Sequence, residues 1–230
     1  MTTTPHPLDR PVWNALATRH AGFALGGALA RRYPPDIGQF AARADDSVAA
    51  AEALLALAAP GARIATVEPE RTPAPAQTET VFQAELVQML LDTEPPPARH
   101  AAPDWVALGK GDAAEMVALA GLTRPGPFFA GTHRLGDFVG VRRDGVLVAM
   151  AGERMRLPGF TEVSAVCTHP DWRGRGLGEG LMRVVIARAL AHGEAVFLHS
   201  FPDNPAMRLY TALGFRVRRQ VVYTILERQA

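Results

Sequence analysis

The run Arg173-Gly174-Arg175-Gly176-Leu177-Gly178 decides how this chain is read, because it lies between a segment of strand character and one of helical character. Glycines permit a tight, partly left-handed backbone and close approach of a ligand. Successive amides can then converge on a phosphate at a helix N-terminus, where the dipole also favours an anion. Arg173 and Arg175 add positive charge to the same turn. Beyond it, Leu177, Leu181, Val184, Val185 and Ile186 form a wide apolar arc, with Glu179 and Arg183 outside it, so the turn is anchored on a buried helix. In isolation the run equally describes a tight strand-to-helix connection with solvated arginines. It is not a Walker loop, since no Gly-Lys-Ser/Thr ending follows, and its spacing misses the dinucleotide-binding G-x-G-x-x-G.

Working outward, Thr161 to Thr168 reads as the strand before the turn and Leu177 to Ala191 as the helix after it. Strand Ala195 to Ser200, a short helix, and strands near Phe215 to Val217 and Gln220 to Leu226 follow. Upstream, Trp105 to Leu108 suggests a strand and Asp112 to Ala120 a helix. Phe138 to Arg142 and Val146 to Arg154 form a hairpin turned by Asp144-Gly145. Strands interleaved with helices imply an α/β fold with a mixed sheet covered on its faces.

The first hundred residues give weaker signals. Val48 to Ala59 is expected to be a helix, capped by Asp46 or Ser47 and stopped by Pro60-Gly61, and Arg63 to Val67 a short strand. Trp13 to Arg32 reads as helical despite Gly22, Gly26 and Gly27, whereas Val81 to Leu91 is apolar with no decisive period. Proline-bearing stretches run from Glu68 to Ala76 and from Glu94 to Pro103. The second predicts a domain boundary, with an N-terminal α/β segment over residues 1–102 and a second domain over 103–230.

A chain of 230 residues with 48% hydrophobic and 20% charged residues can bury a sizeable core, and is neither collagen, coiled coil nor disordered. Ala49 to Ala59 is alanine-diluted and broken by Glu52, so no apolar run approaches the roughly 20 residues of a membrane span. Met1 to Arg10 lacks the order of a secretion signal, and the lone cysteine, Cys167, cannot form an internal disulfide. A cytoplasmic location without a membrane partner is the expectation. With a net charge of +1 there is no broad footprint for nucleic acid, and Arg216, Arg218 and Arg219 are expected on a solvated edge strand. The histidines lack metal-ligand spacing, so no metal is expected.

The run from Glu162 through Arg173 to Gly178, with Arg208-Leu209-Tyr210-Thr211-Ala212-Leu213-Gly214-Phe215 later on, resembles the GNAT superfamily of acetyl-CoA-dependent N-acetyltransferases. The likeness covers about residues 103 to 230. Arg173, Gly176 and Gly178 match the family's pyrophosphate-binding Arg/Gln-x-x-Gly-x-Gly/Ala, and Tyr210 with Gly214-Phe215 matches Leu-Tyr-x-x-x-Gly-Phe. The resemblance implies a GNAT-like fold and acetyl transfer from acetyl-CoA directly to an amine of a small molecule or peptide. A catalytically weak acyl-CoA-binding sensor is the alternative. It further implies coenzyme contacts at Arg173, Gly174, Arg175, Gly176, Leu177 and Gly178, and pantetheine on the backbone of Val166, Cys167 and Thr168. Asn204 is a coenzyme-contact candidate, although it stands one residue later than the family's asparagine, a place held here by Asp203. Its other role is capping, with Pro205 as the first residue of a helix.

Tyr210 resembles the family's general acid, a role that suits a phenol neutral at working pH. Glu162 corresponds to a general-base glutamate of some members, or else is a strand carboxylate paired with Arg154 or Arg156. His199 and His133 are reserve bases. Cys167, within an apolar strand, is expected to behave as a small hydrophobe and not a nucleophile. Arg124 to Phe129, stiffened by Pro125 and Pro127, corresponds to a wall of the acceptor site or a plug over the sheet. Trp13, Phe23, Tyr33 and Phe40 need burial, so the N-terminal segment is expected to pack on the second domain and shape its acceptor pocket.

Overall fold

The computed structural model describes residues 6–98 and 102–229. The start of the Met1 to Arg10 segment and the middle of the Glu94 to Pro103 stretch lie outside these. The N-terminal part contains α1 (Pro11–Ala17), β1 (Leu25–Gly26), β2 (Ala30–Arg32), β3 (Ala41–Arg43), α2 (Val48–Ala56), β4 (Arg63–Glu68) and β5 (Thr78–Leu91). Then come β6 (Val106–Leu108), α3 (Ala113–Thr123), β7 (Phe138–Arg143), β8 (Val146–Leu157) and β9 (Phe160–Thr168). The chain ends through α4 (Leu177–Ala191), β10 (Ala195–Ser200), α5 (Met207–Ala212) and β11 (Arg216–Arg228).

Strands β1 to β3 make a small sheet, and the other eight form one sheet in the order β4-β11-β5-β10-β9-β8-β7-β6. The β9/β10 pair is parallel, while β10/β5 and β8/β9 are antiparallel, so the sheet is mixed. Helix α4 covers one face, burying Leu181, Met182, Val185 and Ile186 against Val139, Val148 and Val196. Each such side chain contributes about 1.5–3 kcal/mol when buried, enough to hold the start of α4 in position. On the opposite face, α1 packs with Tyr33 and Phe40 over Leu86, Phe197 and Tyr223, and α3 packs over Phe138 and Met150. Among the described residues no helix is long and apolar enough to cross a membrane.

The expected division after residue 102 does not separate two sheets. Strand β5 is interior, paired with β11 on one side and β10 on the other, so the first hundred residues supply β4 and β5 to the shared sheet. Its ambiguous period has a physical cause: Met89 and Leu91 face α4 while Leu86 faces the N-terminal layer, so both faces of the strand are apolar. The helix expected over Trp13 to Arg32 ends at Ala17, after which the glycine-interrupted chain enters β1 and β2. The two last strands are one, β11, with an irregularity between Val217 and Arg219. This strand lies between β4 and β5 and is no edge, which corrects the reading of its arginines. Arg216 pairs with Asp92 at 2.8 Å, and Arg218 and Arg219 converge on Asp9 at 2.7 and 2.9 Å.

Candidate active site

Strands β9 and β10 stay paired from Phe160/Ala195 to Glu162/Phe197 and then part. Within β9 the ladder to β8 jumps from Gly152↔Ser164 to Met150↔Cys167, and Ala165 between them adopts φ 53°. This left-handed alanine costs about 1–2 kcal/mol and is held by packing among Met116, Met150 and Cys167. Past Glu162, the backbone of β9 on the side of β10 has no ladder partner.

A cavity of about 550 Å³ fills the opening. Val163 to Thr168 of β9 form one wall, and Leu198, His199 and Ser200 of β10 another. Tyr210 of α5, Tyr223 of β11, and Phe40, Val67 and Leu86 from the first hundred residues complete it. The Pro125 to Pro127 segment also lines it, while Phe128 packs edge-on against Phe138 over the sheet, so the stretch serves as wall and plug both. The hydroxyl of Ser200 is buried with no hydrogen-bond partner among the described residues.

The glycine turn leads away from Arg173 at this cavity. Gly174 and Gly176 both sit at φ 74°, a left-handed conformation that glycine adopts without steric cost. No side chain caps α4 after Gly176, so the amides of its first turn remain available to an anion. Arg173 donates from Nε to the Thr168 carbonyl at 3.3 Å, and the Arg175 guanidinium lies 4.4 Å from the centre of the Trp172 ring. The start of α4 abuts the end of β9: a Cβ on Gly178 would lie 3.7 Å from Thr168 Oγ1. The structure thus brings Val166, Cys167, Thr168, Arg173, Asn204 and Tyr210 together around the cavity. Gly174, Arg175, Gly176 and Gly178 continue outside its lining, and Leu177 is buried in the core under α4.

Tyr210 stacks edge-on against Phe215 at 6.3 Å, and burial raises its phenol above the ordinary value. The hydroxyl therefore stays protonated across the working range. Asn204 accepts a hydrogen bond from the Ala206 amide at 2.9 Å, whereas α5 begins only at Met207. It caps the turn leading into α5, and Pro205 is not a helical residue. Burial pushes the Cys167 thiol up to about 11, so it is no nucleophile.

Glu162 does not fit the expected role of base. Its side chain is 0% exposed, and Arg154 donates to both carboxylate oxygens at 2.8 and 2.7 Å. His199 Nδ1 meets Oε1 at 2.8 Å. Burial alone would raise this carboxyl, but the charge and hydrogen bonds of Arg154, with the His199 bond, outweigh it and hold the group at about 2. A carboxylate can only accept, so Nδ1 of His199 is the donor and the ring is held as one tautomer. Its Nε2 faces the Gln88 amide nitrogen at 3.1 Å. His133 lies outside the cavity lining. Sequence reasoning named Phe40 only as one of four N-terminal aromatics in a segment expected to shape the pocket, and missed Tyr223 as a wall residue and Arg154, 4.8 Å over the Phe40 ring, as one that reaches the cavity. Arg154 left a signal as a neighbour of opposite charge to Glu162, and Tyr223 left none.

A family model described as FR47-like protein matches residues 138–224. None of the curated proteins compared matches the chain. A crystal structure of a protein assigned to the GNAT family of acetyltransferases, from Novosphingobium aromaticivorans, is 46% identical, with 98% of this chain and 100% of that one covered and a TM-score of 0.90. A GCN5-related N-acetyltransferase from Kribbella flavida is 20% identical over 96% of each chain with a TM-score of 0.64, a likeness that speaks for the fold alone. Identity of that extent over nearly the whole length joins the parted strands and the glycine turn to one conclusion: the chain belongs to the GNAT family of acetyltransferases.

Proposed function

We propose that the protein transfers an acetyl group from acetyl-CoA directly to an amine. The observation that carries this reading is the opening between β9 and β10, which ends at a glycine turn with free helix-terminal amides. The residues present suit the coenzyme. Amides from Gly174 to Gly178, with the Arg173 and Arg175 guanidiniums, would hold its pyrophosphate. The backbone of Val166 to Thr168, which has no ladder partner on the side of β10, would receive the pantetheine, and the orphaned Ser200 hydroxyl leaves one more polar group at the wall. Asn204 is retained as a contact at the same mouth. When bound, the thioester supplies an activated acetyl group. Tyr210, whose hydroxyl makes no hydrogen bond within the described residues, would donate the proton needed by the departing sulfur.

Calorimetry with acetyl-CoA, paired with thiol release across an amine panel, tests this reading. Tyr210→Phe is expected to keep coenzyme affinity and lower kcat by on the order of 10²-fold where chemistry limits the rate. Unchanged kcat would remove Tyr210 from the chemistry. Coenzyme binding without thiol release from any amine would favour an acyl-CoA sensor instead.

A further inference from the structure

The cavity combines an aromatic wall with a lack of any group free to accept a proton among the described residues. Phe40, Tyr223 and Phe201 line it, and Phe82 links the last two, with ring centres 6.0 Å from Tyr223 and 6.5 Å from Phe201. Phe40 and Tyr223 are themselves 6.2 Å apart, so the four rings form a connected cluster in which Phe40 and Tyr223 are buried and Phe82 and Phe201 are each 42% exposed. Flat aromatic ligands pack well on such edges and faces.

Charge points the same way. The charged side chains lining the cavity are Arg124, Arg154 and Arg173, and no carboxylate is among them. Arg154 is balanced by Glu162 and Arg173 is assigned to the coenzyme pyrophosphate, so a protonated amine would find no free carboxylate in the lining to pair with, which disfavours lysine-like or polyamine acceptors.

The titratable groups facing the cavity are all committed. Glu162 is out of reach behind Arg154 and His199. His199 uses Nδ1 on Glu162, while its Nε2 accepts from Gln88, whose amide is oriented by donating to the Leu8 carbonyl at 2.8 Å and accepting from Arg218 at 2.8 Å. Cys167 is a buried thiol, and Tyr210 and Tyr223 are phenols whose burial keeps them protonated. Thus the cavity holds acids and no free base among the described residues.

We propose that the acceptor is an aromatic amine of low basicity, which binds and attacks as the neutral amine without a base supplied by the protein. This rests on the acetyl-CoA reading above. In the transfer, the nitrogen lone pair forms the N–C bond to the acetyl carbon and the C–S bond breaks. The sulfur takes the Tyr210 proton, and the nitrogen sheds one proton to water, which returns one to Tyr210. Because a weakly basic nitrogen gives up its proton readily once acylation begins, water suffices as the sink.

The test compares para-substituted anilines, benzylamine and spermidine as acceptors, measuring kcat/KM by thiol release from about pH 6 to about pH 9. Acetyl-CoA affinity is measured separately by calorimetry. The anilines should give a flat profile and exceed benzylamine by at least about tenfold at neutral pH, while benzylamine should rise about tenfold per pH unit as its free-base fraction grows. Spermidine should not turn over. Preference for benzylamine or spermidine at neutral pH, or a benzylamine profile that levels well below the amine's own pKa, would overturn the inference. Coenzyme binding with no thiol release from any of the three would overturn it as well, whereas failure to bind acetyl-CoA would overturn the underlying reading.

Discussion

Glu162 is an ionised carboxylate with no contact with water, balanced by Arg154 on one side and donated to by His199 on the other. Its value in the fold, about 2, lies below the ordinary 4.5, so folding favours the charged form. The stability this contributes is present above that ordinary value and is lost as pH falls from about 4.5 towards about 2. Glu162→Gln removes the partner of a buried guanidinium and is expected to cost about 3–5 kcal/mol at neutral pH. Melting of the two proteins across the acid range should show their gap closing below pH 4.5, the ordinary carboxyl value. A gap that is absent at neutral pH, or constant down to acid, would mean that the pair is not held as described. The same substitution should leave the shape of any basic limb in kcat/KM unchanged, since Glu162 is not the base.

Between β7 and β8, Gly152 stands opposite Phe138, whose ring folds over the glycine. A Cβ on Gly152 would lie 2.2 Å from Phe138 Cδ1, and Phe138 is buried under α3, so the ring has little room to move. Gly152→Ala should cost about 1–3 kcal/mol through overpacking. That corresponds to a melting temperature lower by roughly 2–4 °C per kcal/mol, measurable by calorimetry. An unchanged melting temperature would show that the site relaxes freely. Elements bounded by turn residues were legible in the sequence: β9 after Pro158-Gly159, α4 between Gly176 and Gly193, and β10 between Gly193 and Pro202 match their expected spans to within a residue, and Ser47 caps α2 as one of two candidates. Legibility failed where tertiary context decides. The two-faced burial of β5 erased its period, and an irregularity at Val217 to Arg219 made one strand look like two. Around the site, the glycine turn and Tyr210 were visible as local patterns. That Phe40 meets Tyr223 at the wall was not, because 183 positions separate them and only the fold brings their rings together.

At the scale of the whole molecule, the cavity is walled by both halves of the chain, and the sheet is continuous across them. Removing residues 1–102 would delete β4 and β5, leaving β10 and β11 without their shared neighbour. The fragment 103–230 is therefore expected not to fold cooperatively, as read by circular dichroism and thermal melting, and a sharp melt would contradict that. The sheet, the parted strands and the glycine turn together serve one claim, that acetyl-CoA binds with its pyrophosphate at the start of α4. Calorimetric titration of acetyl-CoA into the full chain and into Gly176→Asp tests it most directly. The substitution forces a side chain onto a residue at φ 74° and adds a carboxylate at the proposed anion site. Saturable binding by the native chain, weakened at least about tenfold in a Gly176→Asp protein that still melts cooperatively, is the predicted result, a loss of about 1.4 kcal/mol. Equal affinity in the two folded proteins would contradict the account.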